Sequence, residues 1–249
     1  MEDQVNNLVQ KLWTKYQATK STQRLLVGIA GIPGSGKTTL AALITARLNA
    51  LSALSAFSAL QTPAICIPMD GYHLTRAQLS AMPDPTTANA RRGAAFTFDA
   101  DAFVNLVRAL RAPIGEGVVY APSFDHAVKD PVADDLAVHP KHRIVVLEGL
   151  YLALDEEPWR AVEGMLDELV FVKVDFDVAR ARLAARHVRA GIVQTEEEGR
   201  RRADESDLVN GRQILDHRVK GITETVVSRE DGGWKDGGAV EEVKEEVVR

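Results

Sequence analysis

The stretch Gly31-Ile32-Pro33-Gly34-Ser35-Gly36-Lys37-Thr38 fits the pattern G-x-x-x-x-G-K-[ST]. Glycines at these spacings let backbone N–H groups turn inward around phosphate oxygens. Lys37 then reaches the β- and γ-phosphates of a nucleotide, and the Thr38 hydroxyl ligates magnesium. The apolar run 24–30 before it reads as a strand. The helix after it, entered through Lys37, Thr38 and Thr39, points the positive end of its dipole at the same phosphates. Two carboxylates stand where they could complete the chemistry: Asp70 just beyond the run "AICIPM", and Glu148 at the end of "RIVVLE". In an open parallel sheet, groups at the carboxyl ends of strands line the ligand crevice. Asp70 can there accept a proton from an attacking hydroxyl or bind magnesium through water, and Glu148 reads as part of the magnesium shell.

Arg182, Arg186 and Arg189 follow "VKVDFD" at spacings of four and three, which keeps them on one face of a helix. Arginine stays charged and binds phosphate through a fork of donors. A helix presenting them to the γ-phosphate would serve as a lid that stabilises transferring charge; a solvated basic face is the alternative. Arg200, Arg201 and Arg202 read as surface or lid-stem charge. In the middle of the chain, "ARRGAAFTFDADAF" and "YAPSFDHAVKDP" interleave Arg91, Arg92, Phe96, Phe98, Asp99, Tyr120, Asp125 and His126. Cations, aromatics and carboxylates mixed in loops suit recognition of a small polar molecule. Taken singly, Asp99 reads as a helix cap, Phe96 and Phe98 as core, and His126 as a loop residue.

Positioning these groups requires strands alternating with helices. Strands are expected at 24–30, in "AICIPMD", at the start of "GVVYAPSFDH", at 142–148, at 169–176 and in "GITETVVS". Helices are expected from Lys37, over 99–112, through about Arg189, and over "SDLVNGRQILDHRV". That alternation predicts an α/β fold of three layers, with a mainly parallel sheet and helices on both faces. Val5, Leu8, Leu12 and Trp13 place an amphipathic helix within residues 1–20, packed on one domain spanning 1–228. The Ala/Ser/Leu-rich stretch 49–63 reads as the end of a helix plus a loop insertion. The glycine-broken, charged tail 229–249 is expected to be poorly ordered.

The chain has 249 residues, is 45% hydrophobic and carries a net charge of -5. That balance argues against nucleic-acid and membrane partners. The single cysteine, Cys66, excludes an intrachain disulfide and a cysteine-rich zinc site. Without a secretory pattern or a long apolar span, a cytoplasmic location is expected.

Together these motifs resemble the P-loop kinase family that holds uridine kinase, phosphoribulokinase and bacterial-type pantothenate kinase. The P-loop, "MDGYH", "RRGAAFTFD", "PSFDH", "LEGLY" and the arginine helix occur in the family's order over residues 24 to 220. "SDLVNG" resembles the family's ND-x-x-N segment near the adenine side. Fungal and bacterial members carrying DG[FY]H, R[KR]GAP-x-TFD and EG-x-YLL look most similar. The resemblance implies ATP and magnesium as cofactors and γ-phosphate transfer to the hydroxyl of a nucleoside, pantothenate-like molecule, sugar or sugar acid. It implies Lys37 and Thr38 on phosphate and magnesium, Asp70 as the base, Glu148 near magnesium, and Arg182 and Arg186 closing the lid. Tyr72, His73, Arg92, Asp125 and His126 would face the acceptor. The "RRG" segment is nearer pantothenate kinase, and the segment after "PSFDH" departs from uridine kinase, so the acceptor stays open. No N-K-x-D guanine-reading string occurs, and Glu148-Gly149 stands where a motor would carry Asp. A non-catalytic nucleotide-binding protein is the alternative from another class.

Overall fold

A computed structural model describes residues 2–55, 62–125 and 127–229. In chain order the strands are β1 (Leu25–Gly31), β2 (Ala64–Pro68), β3 (Val119–Asp125), β4 (Asp130–Val138), β5 (Ile144–Gly149), β6 (Glu168–Lys173) and β7 (Glu224–Val227). The helices are α1 (Glu2–Ala18), α2 (Lys37–Leu54), α3 (Arg76–Ser80), α4 (Pro85–Ala90), α5 (Ala100–Arg111), α6 (Phe176–Arg189), α7 (Glu196–Arg202) and α8 (Leu208–Asp216).

Five strands form one parallel sheet in the order β2-β5-β1-β6-β7. Its central strands are apolar almost throughout because both faces are covered. Side chains alternate between the faces. Leu25, Val27, Ile29, Ile144, Val146, Val170 and Val172 meet α1 and α2 on one side. Leu26, Ala30, Val145, Leu147, Leu169 and Phe171 meet α5 and the turns carrying Tyr151 and Trp159 on the other. α1 docks through Val5, Leu8, Val9 and Leu12, all buried. This is the three-layer α/β arrangement that the alternation of strands and helices predicts.

Register brings the chemistry together. Pro68 pairs with Glu148, and Ala30 pairs with Gly149. The loop leaving β1, the carboxylate ending β5 and the turn leaving β2 therefore emerge side by side at one edge of the sheet.

Several features depart from the sequence expectations. Short helices α3 and α4 precede Arg91, and Phe96, read as core, is exposed, whereas Phe98 is buried. The segment "DPVADDLAV" forms β4, which pairs antiparallel with β3 in a separate two-stranded ribbon outside the main sheet. The polar stretch after α6 forms α7, started by a capping box between Thr195 and Glu198. A π-helical turn, Ala203–Asp207, joins α7 to α8. His126, the centre of the Ala/Ser/Leu stretch (56–61) and the tail from residue 230 lie outside the described residues. No helix among the described residues is long and apolar enough to cross a membrane.

Candidate active site

The loop between β1 and α2 is built to leave donors open. Gly34 and Gly36 take positive φ angles of 76° and 88°, which side-chain-bearing residues rarely adopt. α2 starts at Lys37 behind Gly36, with no side chain capping it. Its first-turn N–H groups, at Lys37, Thr38 and Thr39, thus have no intrahelical partner and face the loop. The remaining loop residues support this shape from below. Ile32 is buried, and the Ser35 hydroxyl is buried without a hydrogen-bond partner against Gly31.

Lys37 Nζ lies 3.8 Å from Glu148 Oε1. Burial pushes the Glu148 carboxyl above the usual carboxylate range; Lys37 opposes this, the neighbouring Asp70 charge adds to it, and the nearby Thr38 hydroxyl opposes it. Two carboxylates and a hydroxyl therefore converge beside a lysine, an arrangement that a cation would relieve.

Asp70 belongs to the turn Met69–Tyr72 that leaves β2, and its side chain is half exposed. This turn sits against the β3–β4 ribbon so closely that a Cβ on Gly71 would fall 2.1 Å from the Pro122 carbonyl oxygen. His73 Nδ1 lies 2.8 Å from the Asp70 backbone oxygen, and its ring stacks on Phe98 at 4.0 Å. Arg92 donates to the Leu74 carbonyl and to Asp130 at 3.1 Å, with its guanidinium over the Phe124 ring.

Pro33, Lys37, Thr38, Asp70 and Glu148 line one side of a cavity of about 220 Å³; His73, Arg92, Gly93 and Phe98 also line it. Arg186, Asp207 and Asn210 complete the wall.

The cavity sorts the expected residues. Of the two lid arginines, it receives Arg186. Arg182 instead donates to the Gly34 carbonyl at 3.2 Å and to the Ser228 hydroxyl at 2.8 Å, bracing the loop from outside the cavity. Tyr72, expected to face the acceptor, is turned into the core edge-on to Phe103, and burial raises its hydroxyl pKa. Asp125 caps the hairpin turn, accepting from the N–H groups of Ala127 and Val128. Asp207 and Asn210 lie in "SDLVNG", placed by resemblance near the adenine side; the structure brings both to the same cavity as Lys37 and Asp70. Asp130, the partner of Arg92, is delivered by the β3–β4 ribbon, whose second strand has no apolar alternation to mark it in the sequence.

The model of the phosphoribulokinase / uridine kinase family matches residues 26–190. The chain belongs to this family. Over 170 residues it is 49% identical to the Aspergillus versicolor "ATP-dependent kinase-like protein notR'", covering 68% of this chain and 96% of that one. Over 191 residues it is 44% identical to a provisionally named uridine kinase of Schizosaccharomyces pombe, covering 77% and 78%. A Silicibacter crystal structure, provisionally named a fructose transport system kinase, superimposes with a TM-score of 0.76 at 31% identity, covering 89% and 98%. The chain is thus a P-loop kinase of the phosphoribulokinase / uridine kinase family.

Proposed function

We propose that the protein transfers the γ-phosphoryl group of ATP to a hydroxyl of a small polar metabolite, a nucleoside, pantothenate-like molecule, sugar or sugar acid, in the cytoplasm. One observation carries this reading: Lys37, Glu148, Asp70 and Arg186 share a single cavity with His73, Arg92 and Phe98. The first set suits phosphoryl transfer and the second suits an acceptor, so donor and acceptor would meet across Asp70.

Thr38, Asp70 and Glu148 fit a magnesium ion of the kind that keeps several waters and phosphate oxygens, which needs only one or two carboxylates from the protein. Magnesium, when bound, neutralises charge on the phosphates. The open N–H groups of the loop and Lys37 hold the phosphate chain, and Arg186 meets the charge that develops on the transferring group. Asp70 orients the acceptor hydroxyl and takes its proton as the new O–P bond forms and the bond to the leaving diphosphate breaks. Arg92, neutralised by Asp130, offers its remaining donor edge to the acceptor without adding net charge.

The test is ATP consumption by the purified protein with magnesium against a panel of hydroxylated metabolites, with the product identified by mass. Asp70→Asn keeps the shape but cannot take the proton, so it should retain ATP binding and lose about 10²-fold or more in transfer rate. Absence of product across the panel, or full transfer by Asp70→Asn, would overturn the reading.

A further inference from the structure

Arg186 and His187 are neighbours on α6 with opposite surroundings. The Arg186 side chain is 59% exposed and lines the cavity, while that of His187 is 6% exposed. Both reach one carboxylate. His187 Nε2 is 2.8 Å from Asp207 Oδ2, and Arg186 Nη2 is 3.8 Å from Asp207 Oδ1. A carboxylate oxygen accepts here, so the His187 Nε2–H donates. Its other ring nitrogen, Nδ1, is buried without a hydrogen-bond partner, so the ring directs its one hydrogen bond at Asp207.

The backbone is arranged around the same carboxylate. Asp207 ends the π-helical turn Ala203–Asp207. A π turn inserts a residue into an α-helix, and each residue turns the following side chains by roughly 100° about the axis. That insertion sets the facing of Asp207 and Asn210 independently of α7, whose own residues pack on α6.

We propose that His187 is a positioning residue: by fixing Oδ2 of Asp207, it leaves Oδ1 to hold Arg186 at the mouth of the cavity. The inference rests on the phosphoryl-transfer reading above. The separation between Arg186 and Asp207 is longer than a hydrogen bond, and a partly exposed ion pair of that kind is weak. Arg186 is therefore steered towards the cavity but can leave Asp207 for a more negative partner. Without the histidine, Asp207 would be free to turn both oxygens on Arg186 and withdraw it from the phosphoryl group.

The experiment compares His187→Leu and His187→Gln, each alone and with Arg186→Ala, in the full chain. Loss of the donor in His187→Leu should lower kcat about 10- to 100-fold, the scale of a misplaced catalytic group. KM for ATP should stay within about threefold, because the ground-state contacts lie on the P-loop. His187→Gln, whose amide can still donate to Asp207, should recover most of the rate. With Arg186→Ala already present, His187→Leu should cost nothing further, since coupled residues are not additive. Unchanged kcat in His187→Leu, or an equal loss with and without Arg186, would overturn the proposal. So would a loss that merely follows the folded fraction and is not recovered by glutamine.

A readout independent of turnover separates this proposal from the kinase reading. Binding of the non-hydrolysable analogue AMP-PNP with magnesium should shift the NMR nitrogen signals of the His187 ring, and Arg186→Ala should abolish that shift. If the wild-type protein phosphorylates no acceptor but the shift occurs and depends on Arg186, the kinase reading fails and the linkage stands. If the analogue binds and the ring signals do not move, the linkage fails.

Discussion

Replacing Gly71 by alanine tests how the turn carrying Asp70 is held. The Gly71 backbone is not among those with positive φ, so alanine can adopt its conformation. By conformational entropy alone the change would stabilise the protein by about 0.4–1 kcal/mol. Packing has the opposite sign. The new Cβ would lie 2.1 Å from the Pro122 oxygen and 2.7 Å from the Pro122 carbonyl carbon. Both are backbone atoms that no rotamer change can move. Reaching an ordinary contact opens roughly 1 Å between the turn and the β3–β4 ribbon in a close-packed interior. Overpacking of this kind costs about 1–3 kcal/mol, which outweighs the entropic gain. For a chain of this size, a net loss of about 1–2 kcal/mol lowers Tm by about 2–8 °C. The displaced group is the turn bearing Asp70, and a misplacement near 1 Å can cost on the order of 10²-fold in rate. Thermal melts followed by steady-state ADP release, with ATP affinity measured separately, should show a lower Tm, a lower kcat and nearly unchanged ATP binding. A variant with raised Tm and unaltered kcat would refute the close-contact argument.

The two arginines of α6 should separate in their effects. Arg186→Ala should lower kcat on the order of 10³-fold with little change in ATP affinity. Arg182→Ala, which removes hydrogen bonds to Gly34 and Ser228, should cost about 1–3 kcal/mol of stability and weaken ATP binding more than kcat; equal kinetic effects would contradict the placement. Glu168 supplies a pH test away from the cavity. Its burial alone would raise the carboxyl pKa, but hydrogen bonds from Lys15, Thr223 and Lys11 outweigh burial and lower it. A lowered folded-state pKa gives stability that is present above the unfolded value, near 4.3, and is lost as pH falls through the folded value. Glu168→Gln should therefore be less stable by about 1–3 kcal/mol at pH 7, and denaturant melts should show the gap closing below about pH 4. A gap that persists undiminished in acid would exclude the ionic origin.

What was legible in the sequence depended on local rules. The glycine pattern at Gly31–Lys37 specifies its own backbone shape, and the apolar runs ending near Asp70 and Glu148 specify buried parallel strands. Any open parallel sheet collects such strand ends in one crevice, so the glycine loop, Asp70 and Glu148 could be brought together from the sequence. Helical spacing likewise put Arg182 and Arg186 on one face. It could not say which would reach the cavity, because that depends on how α6 lies across the P-loop, and residues one turn apart differ by about 5 Å along the axis. Tyr72 and His73 are adjacent where the turn Met69–Tyr72 passes into extended chain and successive side chains diverge; packing of Phe103 against the tyrosine and Phe98 against the histidine decided that the first enters the core and the second the cavity. The ribbon strand "DPVADDLAV" lacks the apolar alternation that marks a half-buried strand: residues 132–135 are exposed in succession, Val138 alone is buried, and the strand is held by pairing with β3. With that pairing came Asp130 beside Arg92. Asp207 reached the cavity through an extra residue in a helical turn, a backbone register that amino-acid spacing does not encode. Motifs bounded by their own chain geometry, and strand ends that a parallel sheet must gather, were thus readable from the sequence, whereas which of several neighbouring side chains enters the cavity was settled by packing.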